Sequence, residues 1–221
     1  MQVSRMNPPG GAALRQTQKR LWIALALWGM AVLAGTLALM SYSGTPGPSG
    51  IAQEHWPTDS GLTLAAEGIS IVMFAHPKCP CTRSSIEELS RLFAHVDPGS
   101  ASLQIVFRVP PGRNLDWAKS GLWRKAQEIP GARIVFDFDG AETRRFGAKT
   151  SGYLCAYDAA GQLRFRGGIT PARNHEGASA GGYALSSLLT EDIGQEMVST
   201  NVFGCPLFSD DEDCEEPHEQ Q

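Results

Sequence analysis

Cys79 and Cys81 are separated by a single proline, and His76 lies just upstream of them. Two thiols this close support two kinds of chemistry. In thiol-disulfide exchange, one thiolate attacks a substrate disulfide and the second thiol resolves the mixed disulfide. Alternatively the pair holds a soft ion, Cu(I) or Zn(II), with His76 as a third ligand. Where a helix starts, unpaired backbone N–H groups and the positive end of the macrodipole favour thiolate over thiol. Pro80 suits a first helical turn because its missing N–H would be unpaired there, and Lys78 and Arg83 add positive charge. On this reading Cys79 attacks and Cys81 resolves. If the helix begins only at Ser84, both cysteines lie in the preceding loop and the roles could be reversed.

These residues need a strand before them and a helix after them. Gly68 to Ala75 is a short apolar, partly β-branched run that reads as a buried strand. From Ser84 the period becomes helical, with Ile86, Leu89, Leu92 and Phe93 on one face; Ser84 with Glu87, or Ser85 with Glu88, could form a capping box. Leu103 to Val109 reads as a second strand, Leu115 to Gln127 as a helix, Arg133 to Asp137 as a third strand and Ala141 to Phe146 as a brief helix. Gly152 to Tyr157 and Leu163 to Gly167 flank a glycine-bearing connection and read as a β-hairpin. A last helix is expected from Gly182 to about Met197. The order implies an α/β domain, a mixed sheet with helices on both faces.

Leu21 to Met40 is an uncharged apolar run of the length a bilayer requires. Arg5, Arg15, Lys19 and Arg20 precede it without an intervening acid, so the positive-inside rule puts the N-terminus in the cytoplasm and the rest of the chain outside. A cleaved signal peptide is the weaker reading, because the run exceeds a typical h-region. The expected organisation is a basic N-terminus (1–20), one transmembrane helix (21–40), a Gly/Pro/Ser-rich linker (41–65), a folded domain (66–200) and an acidic tail (201–221). The formal charge of −4 comes from that tail, where Ser209 to Gln221 hold seven acids and no lysine or arginine. No basic face with interleaved aromatics appears, which argues against nucleic acid. Outside the membrane disulfides are chemically permitted, so the expected partners are protein thiols or disulfides, with no cofactor.

The stretch FAHPKCPCTR, set between strand and helix, and the distal YDAAGQLRFRGGIT resemble the thioredoxin-like superfamily over roughly Gly68 to Met197. The second stretch looks like the closing hairpin of thioredoxin-like and peroxiredoxin-like proteins. The general plan resembles membrane-tethered thiol-disulfide proteins of the TlpA and ResA kind, and HPKCPC resembles sequences labelled RedB. The resemblance implies a thioredoxin-like domain and oxidoreductase activity at Cys79 and Cys81, supported by Pro80. Two departures stand out. The pair is Cys-Pro-Cys instead of Cys-x-x-Cys, and where the family places threonine and a cis-proline facing the dithiol this chain has Thr150-Ser151-Gly152. An antiparallel hairpin starting beside the dithiol returns its partner strand to the same end, which brings Arg173 and His175 near Cys79 as thiolate-stabilising and proton-moving groups. Cys155, in a strand, reads as packing. Cys205 and Cys214 are expected as unpaired tail cysteines, although they could pair together or Cys205 could fold back as a third redox partner.

Overall fold

In the computed structural model, residues 11–97, 99–190 and 196–208 are described. The chain divides into two compact units, one ending at Tyr42 and the other beginning at Ser43. The first is dominated by helix α1 (Gly11–Gly44), which contains no proline and from Arg15 onward is long and apolar enough to cross a membrane. Its large apolar side chains point outward, with Trp22 and Leu39 each 70% exposed, as expected of a helix built for a nonaqueous solvent.

The second unit is a six-stranded mixed sheet flanked by helices. Its elements are β1 (Ile69–Ala75), α2 (Pro80–Phe93), β2 (Ala101–Val109), α3 (Leu115–Ala118), α4 (Gly121–Gln127), β3 (Ala132–Phe138), α5 (Ala141–Arg145), β4 (Tyr153–Tyr157), β5 (Leu163–Gly167), α6 (Ala180–Thr190) and β6 (Val198–Ser199). The sheet order is β3-β2-β1-β4-β5-β6. β1, β2 and β3 run parallel, β4 is antiparallel to β1 and to β5, and β6 is parallel to β5. Because strand side chains alternate, Ile71, Met73 and Ala75 face one core with Ile86, Leu89 and Leu185, while Val72 and Phe74 face another with Phe146, Tyr153, Cys155 and Tyr157. Covering both faces explains why β1 is apolar from Ile71 to Ala75 rather than alternating.

Four features differ from the sequence reading. Helix α2 starts at Pro80, so Ser84 and Ser85 are buried within it and form no capping box. The helix expected over Leu115 to Gln127 is two short helices, because Ser120 accepts hydrogen bonds from the N–H groups of Leu122 and Trp123 and starts a new one. Helix α6 is described over Ala180–Thr190 and residues 191–195 lie outside the described residues. Met197 is not helical but precedes the short edge strand β6, which has too few residues to show a pattern. The stretch read as a linker and the start of the stretch read as a tail are packed on the domain. Ala52, Leu62, Val202, Leu207 and Phe208 are buried, and Trp56 makes edge contacts with Phe146 and Tyr157. Backbone pairing holds much of these segments, as where Gly47 N–H donates to the Val202 carbonyl (2.8 Å) and Leu163 N–H to that of Glu54 (2.8 Å). Such bonds leave no trace in composition. Residues 1–10 and 209–221, including Cys214, lie outside the described residues.

Candidate functional site

The site forms where β1 ends. The chain turns at His76, whose carbonyl accepts from Cys79 N–H (3.1 Å), and Cys79 becomes the N-cap of α2 in an extended conformation, with Pro80 as the first helical residue. No side chain caps this helix end. Its unpaired N–H groups and positive dipole end are therefore directed at the cysteine sulfurs.

The Sγ atoms of Cys79, Cys81 and Cys205 all lie within 4.8 Å of one another. Cys79 is 1% exposed, Cys81 7%, and Cys205 partly exposed; all three are free thiols. Burial opposes ionisation of Cys79, but the hydroxyl of Thr82, the backbone and thiol of Cys205 and the backbone of Thr82 favour it and hold the thiol below its ordinary value of 9.0. Cys81 moves the other way, pushed up by burial and by the neighbouring Cys79, with the Arg173 guanidinium opposing. Cys205 is pushed up to about 12, first by burial and then by Cys79, with Arg173 again opposing. Of the three thiols, Cys79 is the one whose ionisation its surroundings favour.

A short extended segment delivers Cys205. Thr150 and Pro206 form an antiparallel bridge, Ser151 N–H donates to the Cys205 carbonyl (2.8 Å) and Leu207 N–H to the Lys149 carbonyl (2.8 Å). A side chain at Gly204 would place its Cβ 1.9 Å from the Ser151 carbonyl oxygen, so only glycine permits this approach. Further along, buried Arg108 donates through Nη1 to the Leu207 carbonyl (2.7 Å), and the Phe208 ring has the guanidinium groups of Arg108 (4.3 Å) and Arg144 (4.4 Å) over it. These contacts anchor the segment on both sides of Cys205.

Thr150 is fully buried and its hydroxyl donates to the Pro48 carbonyl (2.8 Å), away from the sulfurs. The neighbouring Ser151 is the residue that reaches the site. Its Oγ accepts from His76 N–H (2.7 Å) and shares a 2.5 Å hydrogen bond with Thr82 Oγ1, tying the end of β1, the first turn of α2 and the approach to β4 together. The described residues contain no cis peptide bond. Arg173 is brought to the cluster: besides its charge on Cys81 and Cys205, it donates to the carbonyls of Thr45 (3.1 Å) and Gly204. His175 is exposed, with Nδ1 2.7 Å from the Arg173 carbonyl oxygen, and does not belong to the sulfur cluster. Nor does His76, which lies edge-on to Trp117 while its Nδ1 accepts from Lys78 N–H (3.2 Å). Thr82 and Ser151 escaped the sequence reading, and only Thr82 left a signal, a hydroxyl in the turn after the dithiol. Of the alternatives open for Cys205, its position beside Cys79 and Cys81 fits the one in which it folds back.

An open cleft of ≈ 400 Å³ leads to Cys79, lined by Pro77, Lys78, Pro80, Arg83, Ser120 and Lys125 among others. Lys78 lies over the Trp117 ring (4.7 Å) and Lys125 pairs with Glu87. Cys155 stands apart, fully buried in β4 with its thiol directed at the Val72 carbonyl (3.8 Å), and burial pushes its pKa far up.

No family model matches the chain, and no curated protein sequence matches it. Several solved structures are similar in fold. An uncharacterized conserved protein from Geobacillus kaustophilus is 16% identical, with a TM-score of 0.51 over 74% of this chain and 91% of its own. A hypothetical protein from Sinorhizobium meliloti is likewise 16% identical, with a TM-score of 0.51 over 73% of this chain and 93% of its own. A thioredoxin-like protein from Aeropyrum pernix is 14% identical, with a TM-score of 0.43 over 72% of this chain and 95% of its own. At these identities the likeness is one of fold. A parallel βαβ unit, a third parallel strand, an antiparallel hairpin on the other side of the first strand and a closing helix make up the second unit. This fold is similar to those of the Geobacillus and Sinorhizobium proteins and is the mixed sheet with flanking helices expected from the sequence.

Proposed function

We propose that this chain is a membrane-anchored, extracytoplasmic thiol-disulfide oxidoreductase whose attacking group is the Cys79 thiolate. The observation that carries the reading is the setting of Cys79: a buried sulfur at an otherwise uncapped helix N-terminus, with the sulfurs of Cys81 and Cys205 within 4.8 Å of it. The thiolate is the nucleophile in disulfide exchange, and lowering its pKa raises the fraction present at neutral pH. The reaction begins when Cys79 Sγ attacks one sulfur of a substrate disulfide entering along the cleft. The other substrate sulfur leaves as a thiolate and takes a proton from solvent. A second thiol of the cluster then closes the cycle, and Cys81 is its nearest neighbour in sequence. Protein disulfides or thiols are the substrates this reading requires, and Pro80, by fixing the first helical turn, keeps the sulfur at the dipole. The apolar helix α1 and the basic residues before it support anchoring with the domain outside the cytoplasm. Replacing Cys79 by serine should abolish disulfide exchange, and turnover retained in that variant would sink the proposal.

One observation favours a second reading, a copper-binding or metal-handling protein. Three thiols within 4.8 Å of one another form a soft, largely buried donor set suited to Cu(I). In this arrangement Cys205 supplies the third ligand, the position for which His76 is the candidate in the sequence. Anaerobic Cu(I) titration of the reduced protein tests it: one ion bound per chain, lost on replacing any of the three cysteines, supports the reading, and no cysteine-dependent binding rejects it.

A further inference from the structure

We propose that Cys205, rather than Cys81, is the thiol that resolves the mixed disulfide on Cys79, so that the oxidised protein is cross-linked between the start of α2 and the segment following β6. The inference rests on the oxidoreductase reading and assigns its second step.

Cys79 is the extended N-cap of α2 and Cys81 its second helical residue, with Pro80 between them fixing the backbone. A disulfide joining the two, although their sulfurs also lie within 4.8 Å, would close a small ring across one rigid residue and strain the bond. Cys205 arrives from a separate segment, and its sulfur lies within 4.8 Å of the Cys79 sulfur. Its own carbonyl accepts from Ser151 N–H, Leu207 N–H two residues on donates to the Lys149 carbonyl, and Gly204 permits the close approach. Exposure points the same way. Cys205 is partly accessible, while Cys79 and Cys81 are buried, so a disulfide that includes Cys205 offers an outside thiol a sulfur to attack when the protein is turned over.

With substrate sulfur bonded to Cys79, the Cys205 sulfur stands within reach of that bond, since the two cysteine sulfurs lie within 4.8 Å of each other. Cys205 then loses its proton and attacks Cys79 Sγ. The Cys79–Cys205 bond forms, the Cys79–substrate bond breaks, and the departing substrate thiolate takes a proton. Overall one substrate disulfide is reduced to two thiols while Cys79 and Cys205 are oxidised to one disulfide.

The test uses the full chain in detergent carrying Cys214→Ser, treated with oxidised glutathione, quenched with a thiol-blocking reagent and digested with trypsin. Cleavage after Lys78 and Arg83 puts Cys79 and Cys81 on one short peptide and Cys205 on another. The expected product is a covalent pair of those peptides. Adding Cys205→Ser should leave glutathione on Cys79 with release slowed on the order of tenfold or more, a larger loss than Cys81→Ser causes. A closed loop within the Cys79–Cys81 peptide as the main product, with Cys205 still blockable, would overturn the inference and leave the oxidoreductase reading standing. Failure of Cys79 to take up glutathione in any variant would overturn both.

Discussion

Cys79 and Cys155 are equally hidden from water, at 1% and 0% exposed, yet their thiols are driven in opposite directions. Cys155 sits in the middle of β4, opposite Val72 of β1 and between Tyr153 and Tyr157, where every nearby backbone N–H already serves the sheet. Its surroundings offer a carbonyl acceptor and phenols but little to stabilise a negative charge, so it stays a small apolar residue with a weak donor. Cys79 lies just past the end of β1, where the sheet ladder has stopped and a helix begins with its N–H groups unpaired. Burial therefore does not separate an inert cysteine from a reactive one. What separates them is whether the burying surface contains donors aimed at the sulfur.

The largest effect that should follow from this contrast is at Cys79 itself: Cys79→Ser should lose disulfide exchange altogether, whereas Cys155→Ala should keep it at the parent rate, measured as reduction of a disulfide substrate. Equal losses in both would break the comparison. Thr82→Val removes one donor to the thiolate and should lower alkylation of Cys79 by iodoacetamide at pH 7 on the order of tenfold, since a hydrogen bond to a charged group is worth roughly 1.5–3 kcal/mol. The pH profile of that alkylation should move to higher pH, and an unmoved profile would show that the hydroxyl does not reach the thiolate. Arg173→Gln removes the cation that favours ionisation of Cys81 and Cys205, and should slow resolution of a mixed disulfide by a few-fold while leaving Cys79 alkylation nearly constant.

The smallest effect lies at the inert end of the comparison and depends on pH. Cys155 has a folded-state pKa raised above its ordinary 9.0, and Tyr153 and Tyr157 beside it are raised above 10.0. A group whose pKa is raised by folding contributes its full stability below the unfolded value and loses it as pH climbs toward the folded one. Unfolding free energy should therefore fall above about pH 9. Cys155→Ala should shallow that decline while costing on the order of 1 kcal/mol at pH 7 for the lost packing. Denaturant titrations at a series of pH values measure both.

Much of the scaffold is legible in the residues because it depends on local periodicity. The apolar run of β1, the helical spacing of Ile86, Leu89 and Phe93, and the glycine turn between β4 and β5 each announce an element. The places where that reading fails share a cause. Ser120 restarts a helix by accepting two backbone hydrogen bonds, and the segments around Gly47, Glu54 and Val202 are bound through backbone groups that every residue except proline possesses in full. Thr150 is a candidate for the site because the family resemblance puts a threonine there facing the dithiol, but its hydroxyl is turned toward Pro48 and it is Ser151 that faces Thr82.

The sequence alone determines the apolar α1, the strand-to-helix junction and the position of Cys79 and Cys81 at that junction, because hydrophobic length, strand and helix period and helix-start chemistry all act over a few residues. Tertiary structure decides that Cys205, far away in the chain, completes the cluster, that Arg173 belongs to it, and that His76 and His175 stand outside the sulfur group. The physical reason is that a thiolate is stabilised by whatever donors reach it through space. Those donors come from chain segments whose approach depends on one glycine at position 204, a buried arginine at position 108 and a bridge between Thr150 and Pro206.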